Sequence, residues 1–179
     1  MAAGSSGTCK NRTGVNGKEQ IMREIKAKKA EVHTCSPYGA FERLTDSECF
    51  AGDGWECWMT EGLCMSHEAR VTACHSDSVQ PYELEAMTRT MDSQRLLICT
   101  EHPMIVAVAE ETENIPQTEK VEAFVLEPGE IFLIRPGIWY DICRGTEKPV
   151  DYYILGKTGE DPDSFTLLDN GAVKVTWDK

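Results

Sequence analysis

From Glu68 onward the chain is a succession of short apolar or alternating segments separated by close turn signals. Segments of this length that alternate or are continuously apolar indicate β-strands, and the Gly, Pro, Asn and Asp clusters between them indicate turns. Almost no segment has a strong helical periodicity. The segments are EARVTACH, RLLICT, MIVAVA, VEAFVL, IFLIR, WYDIC, DYYIL, FTLL and VKVTW. The pattern predicts an all-β protein, a sandwich or a barrel.

The N-terminal part of the chain lacks these strand patterns. Residues 1–21 are rich in Gly, Ser, Thr and Asn without apolar periodicity, which predicts a disordered leader. Residues 22–179 are then expected to form a single domain. From Glu19 to Ala30 the composition permits a helix, whereas REIKA alternates like a strand, and both alternatives stay open. Near the C-terminus, the Asn-Gly pair in DNGA predicts a tight hairpin between FTLL and VKVTW.

The charge of the chain excludes two classes of partner. There are 18 Lys and Arg against 30 Asp and Glu, a formal net charge of -12, and no basic run interrupts it. Nucleic acid and anionic membrane surfaces are therefore not expected as partners. No apolar run approaches the roughly 20 residues of a membrane-spanning helix, and the N-terminus lacks the apolar core of a secretory signal. The sequence predicts a soluble cytoplasmic protein.

The chain has eight cysteines, an even number that raises the question of disulfides. Their scattered spacing and the missing export signal predict reduced thiols instead. Cys99 and Cys143 lie in apolar strand-like segments, where a free cysteine acts as a small apolar side chain.

One segment concentrates soft metal ligands, with Cys64, His67, Cys74 and His75 close together. Cys64 and His67 have a ligand-like spacing. Adjacent Cys74 and His75, however, point to opposite faces of a strand, so a zinc site is not expected here.

The segment GDGWECWMTEG brings Trp55 and Trp58 together with acidic residues and glycines. The two indoles are interpreted either as a wall of a ligand pocket, as a dimer contact, or as part of the core.

Four segments carry a resemblance to a known family. They are REIKAKKAEVHTCSPYGAFE, YELE, RLLICTEHPMIVAVAE and VEAFVLEPGEIFLIRPGIWYDICRGTEKPVDYYIL. Their order and spacing resemble the ureidoglycolate lyase family, over about Arg23 to Lys157. The resemblance implies a cupin-like double-stranded β-barrel, or jelly-roll sandwich, that forms a homodimer. It also implies release of urea from ureidoglycolate to leave glyoxylate, a step of allantoin degradation in purine catabolism.

The resemblance can be carried over residue by residue. Where the family has His-Glu-Leu-Glu, this chain has Tyr82, Glu83, Leu84 and Glu85, so the glutamates match and the histidine does not. Trp139 matches the tryptophan that precedes a pair of histidines in the family.

Two residues replace that histidine pair, Tyr140 and Asp141. Arg135 fits a basic position just before this turn. Asp151 and Lys157 resemble an aspartate and a basic residue at the two ends of the last barrel strand. Three histidines of the family are therefore absent, which implies changed chemistry.

The implied reaction needs a base for the hydroxyl proton, a donor for the departing urea and a cation for the carboxylate. Tyr and Asp have ordinary pKa values of about 10 and about 3.9, so burial or charge must shift them before they exchange protons at neutral pH. The resemblance thus implies catalytic roles for Asp141, Tyr140, Glu83 and Glu85. It implies substrate contacts from Arg135, Lys157 and Trp139.

Each assignment has a structural alternative. If the Leu84 face of its strand is core, Glu83 and Glu85 are simply solvated. Trp139 is alternatively a cap of the core after a Pro-Gly turn. No cofactor or metal is predicted, and a divalent ion held by Glu83, Glu85 and Asp141 is the alternative.

Two functions follow as hypotheses. The first is a ureidoglycolate lyase-like enzyme that cleaves a carbon-nitrogen bond in ureidoglycolate or a related small hydroxy acid. The alternative is a non-catalytic cupin-like protein that binds a small acid or sugar.

Overall fold

The fold is described by a computed structural model that covers residues 22–60, 62–160 and 164–178. Within these residues the chain forms one short helix, α1 (Val32–Cys35), and single 3-10 turns at Leu44–Asp46 and Thr118–Lys120. The strands are β1 (Arg23–Lys26), β2 (Lys28–Lys29), β3 (Gly39–Arg43), β4 (Glu48–Gly52), β5 (Trp55–Met59), β6 (Ala69–Ser76), β7 (Tyr82–Leu84), β8 (Ala86–Met87), β9 (Arg95–Cys99), β10 (Met104–Ala109), β11 (Val121–Leu126), β12 (Glu130–Ile134), β13 (Trp139–Tyr140), β14 (Arg144–Gly145), β15 (Val150–Lys157), β16 (Thr166–Leu167) and β17 (Val173–Thr176). The prediction of an all-β protein is confirmed.

Two large sheets face each other. One has the order β3-β12-β9-β15-β6, and the other has the order β13-β10-β11-β2 with β14 also paired to β10. A three-stranded sheet, β1-β17-β7, covers the outer face of the second large sheet. Two ribbons, β16-β8 and β4-β5, complete the described strands.

The central strand β10 shows why the sequence folds this way. All six residues of MIVAVA are buried, because both faces of this strand are covered. Val106 and Val108 point into the core between the two large sheets, whereas Ile105 and Ala107 pack on the three-stranded sheet. A continuous apolar run is the pattern of a strand buried on both sides.

Two predictions about local structure are resolved or corrected. The part of the segment from Glu19 to Ala30 that the structure describes forms strands, β1 and β2, and not a helix. The predicted hairpin at DNGA is wrong: β16 pairs with β8, while β17 pairs with β1 and β7. Pairing with distant strands that bury Val173 and Val175 outweighs the local turn preference.

The GDGWECWMTEG segment forms the hairpin of β4 and β5, which lies at the surface. Trp55 is 55% exposed and Trp58 is partly buried, so the interpretation as core residues is wrong for Trp55.

All seven described cysteines are free thiols, and the eighth, Cys9, lies outside the described residues. Cys99 and Cys143 are buried in the core, as predicted. The predicted disordered leader, residues 1–21, lies outside the described part of the chain. No helix among the described residues is long and apolar enough to cross a membrane.

Candidate active site

A cavity of about 370 Å³ opens between the β3-β12-β9-β15-β6 sheet and the end of β13. We call it the Asp141 cavity. One wall comes from β6, β9 and β15, and the other from the residues that follow β13. Its lining residues are Arg70, Thr72, Cys74, His75, Thr88, Arg95, Leu97, Tyr140, Asp141, Ile142, Cys143, Tyr152, Ile154, Gly156 and Phe165.

A wider groove of about 680 Å³ lies between α1, β3 and the β4-β5 hairpin. Of its acidic lining residues, Glu31, Asp46 and Glu48 are exposed to solvent, and Glu42 is partly exposed. We place the candidate site in the smaller cavity because a buried carboxyl group lines it, and perturbed titratable groups in clefts mark functional sites more often than solvated ones do.

Asp141 directly follows β13, and its backbone N–H donates to the carbonyl of Ala107 at 3.0 Å. The residue is only 7% exposed. Burial raises the pKa of Asp141 to about 6, although a backbone hydrogen bond from Ile142 and the charge of Arg144 act in the opposite direction. A carboxyl group with this pKa can accept a proton near neutral pH.

Tyr140 is held in place by its backbone. Its N–H donates to the carbonyl of Thr88 at 2.8 Å, and its own carbonyl accepts from the N–H of Thr88 at 2.9 Å. The phenol ring is buried between the two large sheets, and its hydroxyl accepts a hydrogen bond from Nε of Arg95 at 3.3 Å. The cavity therefore presents a phenol and a guanidinium next to each other.

Arg95 is the first residue of β9, and its side chain is 8% exposed. Nη1 donates to Oε2 of Glu160 at 2.9 Å and to Oγ of Ser93 at 3.2 Å. The guanidinium packs on Gly156, where a Cβ atom would lie 2.4 Å from Nη1. The close approach of this side chain to the backbone of β15 thus requires glycine.

The rest of the wall is less polar. Tyr152 and Cys74 lie opposite each other on β15 and β6, and Cys143 is buried beside them. Burial raises the pKa of all three groups, so they stay neutral near pH 7. At the opening, Nδ1 of His75 lies 2.7 Å from Oδ1 of Asp151, and both side chains are exposed.

The structure does not bring the two predicted glutamates to this cavity. Tyr82 and Leu84 of β7 are buried, and Glu83 and Glu85 are exposed to solvent. The interpretation of the glutamates as a carboxylate pair lining the barrel is therefore wrong, because the Leu84 face of β7 is the core face.

Trp139 precedes Tyr140 on β13 and so points to the opposite face of the sheet. It packs in the core beneath the three-stranded sheet, and Nε1 donates to Oγ1 of Thr112 at 2.8 Å. The guanidinium of Arg89 lies 4.1 Å from the ring centroid. This placement corresponds to the structural alternative, a tryptophan that packs in the core.

The two predicted cations also lie outside the cavity lining. Arg135 follows β12 on the surface and donates through Nη2 to the carbonyl of Pro37. Lys157 is the last residue of β15 and is exposed, near the carboxylate of Glu160.

Within the described residues, no three His, Cys, Asp or Glu side chains form a group that could hold a metal ion. The set of Glu83, Glu85 and Asp141 is accordingly not assembled.

Sequence reasoning missed Arg95 and Glu160. Arg95 opens the apolar segment RLLICT, and a charged residue at the start of such a strand is the feature that could have identified it. Glu160 carried no such signal, since it lies 65 residues away in an acidic loop segment.

Comparisons with known proteins bear on the fold and the family. Among solved structures, a dTDP sugar isomerase from Desulfovibrio desulfuricans G20 has a TM-score of 0.50 and 12% identity, over 72% of this chain and 85% of that chain. This likeness shows the fold alone, and it confirms the predicted cupin-like β-sandwich.

RmlC from Streptococcus suis, solved in complex with dTDP-D-xylose, has a TM-score of 0.40 and 6% identity, over 52% of this chain. The aligned part of this chain spans 46% of the length of that protein.

A comparison with curated proteins gave no match. A family profile described as ureidoglycolate lyase matches residues 23–174. Because this match covers most of the 179 residues, the chain belongs to the ureidoglycolate lyase family.

Proposed function

We propose that the Asp141 cavity cleaves the carbon-nitrogen bond of ureidoglycolate or a related small hydroxy acid, with release of urea. The observation that carries the proposal is the burial of Asp141, which raises its pKa to about 6 within reach of a cavity that Tyr140 and Arg95 also line. The family supports a lyase-like reaction.

In the proposed reaction the carboxylate of Asp141 takes the proton of the substrate hydroxyl group. The electron pair of the O–H bond forms the carbonyl of glyoxylate, and the carbon-nitrogen bond breaks. The departing nitrogen takes up a proton and leaves as urea. Asp141 suits the first step because a base with a pKa near 6 is ionised at neutral pH and still accepts a proton in the transition state.

We assign the second proton transfer to the hydroxyl of Tyr140. Nε of Arg95 donates to this oxygen, so the guanidinium stabilises the phenolate that forms when the proton leaves. Tyr140 at the end of β13 and Asp141 after it both line the cavity, which supports the use of one as donor and the other as base.

The substrate carboxylate needs a cation. Arg95 and Arg70 line the cavity, Arg95 in its interior and Arg70 at its exposed side. We therefore propose these arginines, in place of Arg135 and Lys157, as the groups that hold the carboxylate.

The test is release of urea and glyoxylate from racemic ureidoglycolate by the purified, metal-analysed protein, with spontaneous decay subtracted. We expect turnover that rises with pH through about 6, because Asp141 must lose its proton to act as the base. Asp141→Asn is expected to abolish turnover while ligand binding persists. A full-rate Asp141→Asn variant would contradict the assignment of the base.

The result also separates the two function hypotheses. If the protein binds small carboxylates but releases no urea, with or without added divalent metals, the lyase proposal fails and the binding-protein hypothesis takes its place.

We also propose a homodimer. Among the described strands β6 is the last of its sheet, and Val71 on it is largely exposed, so this edge is available for pairing with a second copy. Light scattering coupled to size exclusion tests this proposal, and a monomer at micromolar concentration would contradict it.

A further inference from the structure

We propose that Ser93 and Arg95 form a carboxylate subsite at the point where Arg95 lines the Asp141 cavity, and that Glu160 of the same chain occupies this subsite until a ligand carboxylate displaces it. The inference rests on the proposed function in one respect, namely that the ligand is a small carboxylic acid. It adds a residue that competes with the ligand for the cation.

The geometry at Glu160 is that of a bound carboxylate. Its Oε2 atom accepts from Nη1 of Arg95 at 2.9 Å and from Oγ of Ser93 at 2.5 Å. The same Nη1 atom also lies 3.2 Å from Oγ of Ser93, so the two donors converge on one oxygen. Two convergent donors, one of them charged, are a typical site for a carboxylate.

The cation of this subsite is fixed and buried. The side chain of Arg95 is 8% exposed and is held by Tyr140 on one side and by the backbone of Gly156 on the other. A buried guanidinium requires an anion, because an unpaired buried charge is strongly unfavourable. Whichever carboxylate is present, the subsite is expected to be occupied.

Glu160 is the more accessible partner of this pair. It lies beyond the end of β15, and its side chain is 20% exposed against 8% for Arg95, so its carboxylate is the one that can exchange with a ligand carboxylate. Its backbone carbonyl accepts from Nη2 of Arg70 at 3.2 Å, a bond that does not depend on the position of the Glu160 side chain and that ties the residue to a side chain lining the cavity.

The charge state of Glu160 agrees with this arrangement. Partial burial acts to raise its pKa, but the hydrogen bonds from Ser93 and Arg95 outweigh burial and hold the pKa below its ordinary value. Glu160 is therefore an anion at neutral pH and competes with an incoming carboxylate for the same donors.

The carboxylate of Glu160 therefore competes with the ligand carboxylate for Arg95. A ligand carboxylate binds only when it replaces Glu160 on Arg95, so the apparent affinity is reduced by the fraction of molecules in which Glu160 holds the subsite.

Glu160→Gln removes the competing charge while it keeps the shape of the side chain. We expect this variant to bind glycolate and acetate roughly fivefold more tightly than the wild type.

The experiment is isothermal titration of the full-length protein with glycolate and with acetate, using acetamide as the neutral probe. Glu119→Gln is the matched control, because it removes the same charge from an exposed position outside the cavity. Tighter binding of both carboxylates by Glu160→Gln, absent in Glu119→Gln and with acetamide, would support the proposal. Equal or weaker binding by Glu160→Gln would overturn it.

A double variant tests the cation. In Arg95→Met/Glu160→Gln the gain in affinity should disappear, and a gain that persists would overturn the subsite. If Glu160→Gln fails to fold, Glu160→Ala serves instead, and thermal unfolding should show greater stabilisation by acetate than in the wild type. An unchanged response to acetate in Glu160→Ala would overturn the proposal.

These outcomes are distinct from a failure of the lyase proposal. Tighter carboxylate binding by Glu160→Gln without urea release by any variant leaves the subsite in place and removes the reaction. Normal urea release with unchanged carboxylate binding removes the subsite alone.

Discussion

Nε of Arg95 donates a hydrogen bond to the hydroxyl of Tyr140 across 3.3 Å, and this bond joins the two large sheets. Arg95 begins β9 in one sheet, and Tyr140 ends β13 in the other. Both side chains are buried, so neither group can rely on water to satisfy its polarity. The pair therefore fixes the position of the phenol that faces the Asp141 cavity, and it is the structural basis for the roles proposed here.

The first prediction concerns the stability of the folded protein as a function of pH. An unfolded aspartate has a pKa of about 3.9, and the folded-state pKa of Asp141 is about 6. Between these values the folded protein binds a proton that the unfolded chain does not. The free energy of unfolding contributed by Asp141 therefore falls as the pH rises from about 4 to about 6, by up to about 3 kcal/mol.

Asp141→Asn should remove this loss of unfolding free energy at higher pH, because the amide does not ionise. We expect the variant to be about 2–3 kcal/mol more stable than the wild type at pH 8 and equal to it near pH 4. Urea unfolding at several pH values measures the difference, and Asp92→Asn, at an exposed aspartate, is the control. A difference that does not change with pH would contradict the raised pKa.

Gly156→Ala tests the position of Arg95. The added Cβ would meet the guanidinium, which can move away only by breaking its buried hydrogen bonds to Tyr140 and Glu160. We therefore expect a loss of about 1–3 kcal/mol in the free energy of unfolding and weaker binding of glycolate, because Arg95 loses its contact with Tyr140. Titration calorimetry and urea unfolding measure the two effects.

The control is Tyr153→Phe, on the opposite face of β15, which should leave glycolate binding unchanged. Unaltered glycolate binding by Gly156→Ala would refute the role of the contact between Arg95 and Tyr140.

Trp139→Phe tests whether Trp139 stabilises the fold without contacting the ligand. The substitution removes the hydrogen bond to Thr112 and leaves a smaller ring beside Arg89. We expect a loss of about 2 kcal/mol in the free energy of unfolding. Because the indole points away from the Asp141 cavity, glycolate affinity should stay the same. A loss of affinity in a variant that retains its fold would restore Trp139 as a ligand contact.

The last prediction concerns the buried carboxylate of Glu130. It accepts from Nη2 of Arg43 at 2.5 Å and from the backbone N–H of Glu127 at 2.8 Å. Arg43→Met leaves this carboxylate buried without its cation, so we expect the unfolding temperature to fall by several degrees. Lys120→Met breaks the exposed pair with Glu110 and should change little. Equal shifts in thermal unfolding for the two variants would contradict the argument.

Much of the fold could be predicted from local patterns. MIVAVA and VEAFVL form the strands that their composition indicates, and the exposure of Glu83 and Glu85 follows from alternation once the Leu84 face is known to be core. The hairpin at DNGA could not be excluded in this way. Its second strand pairs with β1 and β7, and no local signal reports a partner that far along the chain.

The same distinction holds for the candidate site. The alternation that separates Trp139 from Tyr140, the replacement of the family's histidines and the family itself follow from residue type and order alone. The burial of Asp141, the contact of Arg95 with Tyr140 and the ion pair of Glu160 with Arg95 follow from tertiary packing. Burial and ion pairing depend on distance in space, and that distance is fixed by strands that pack together from remote parts of the chain.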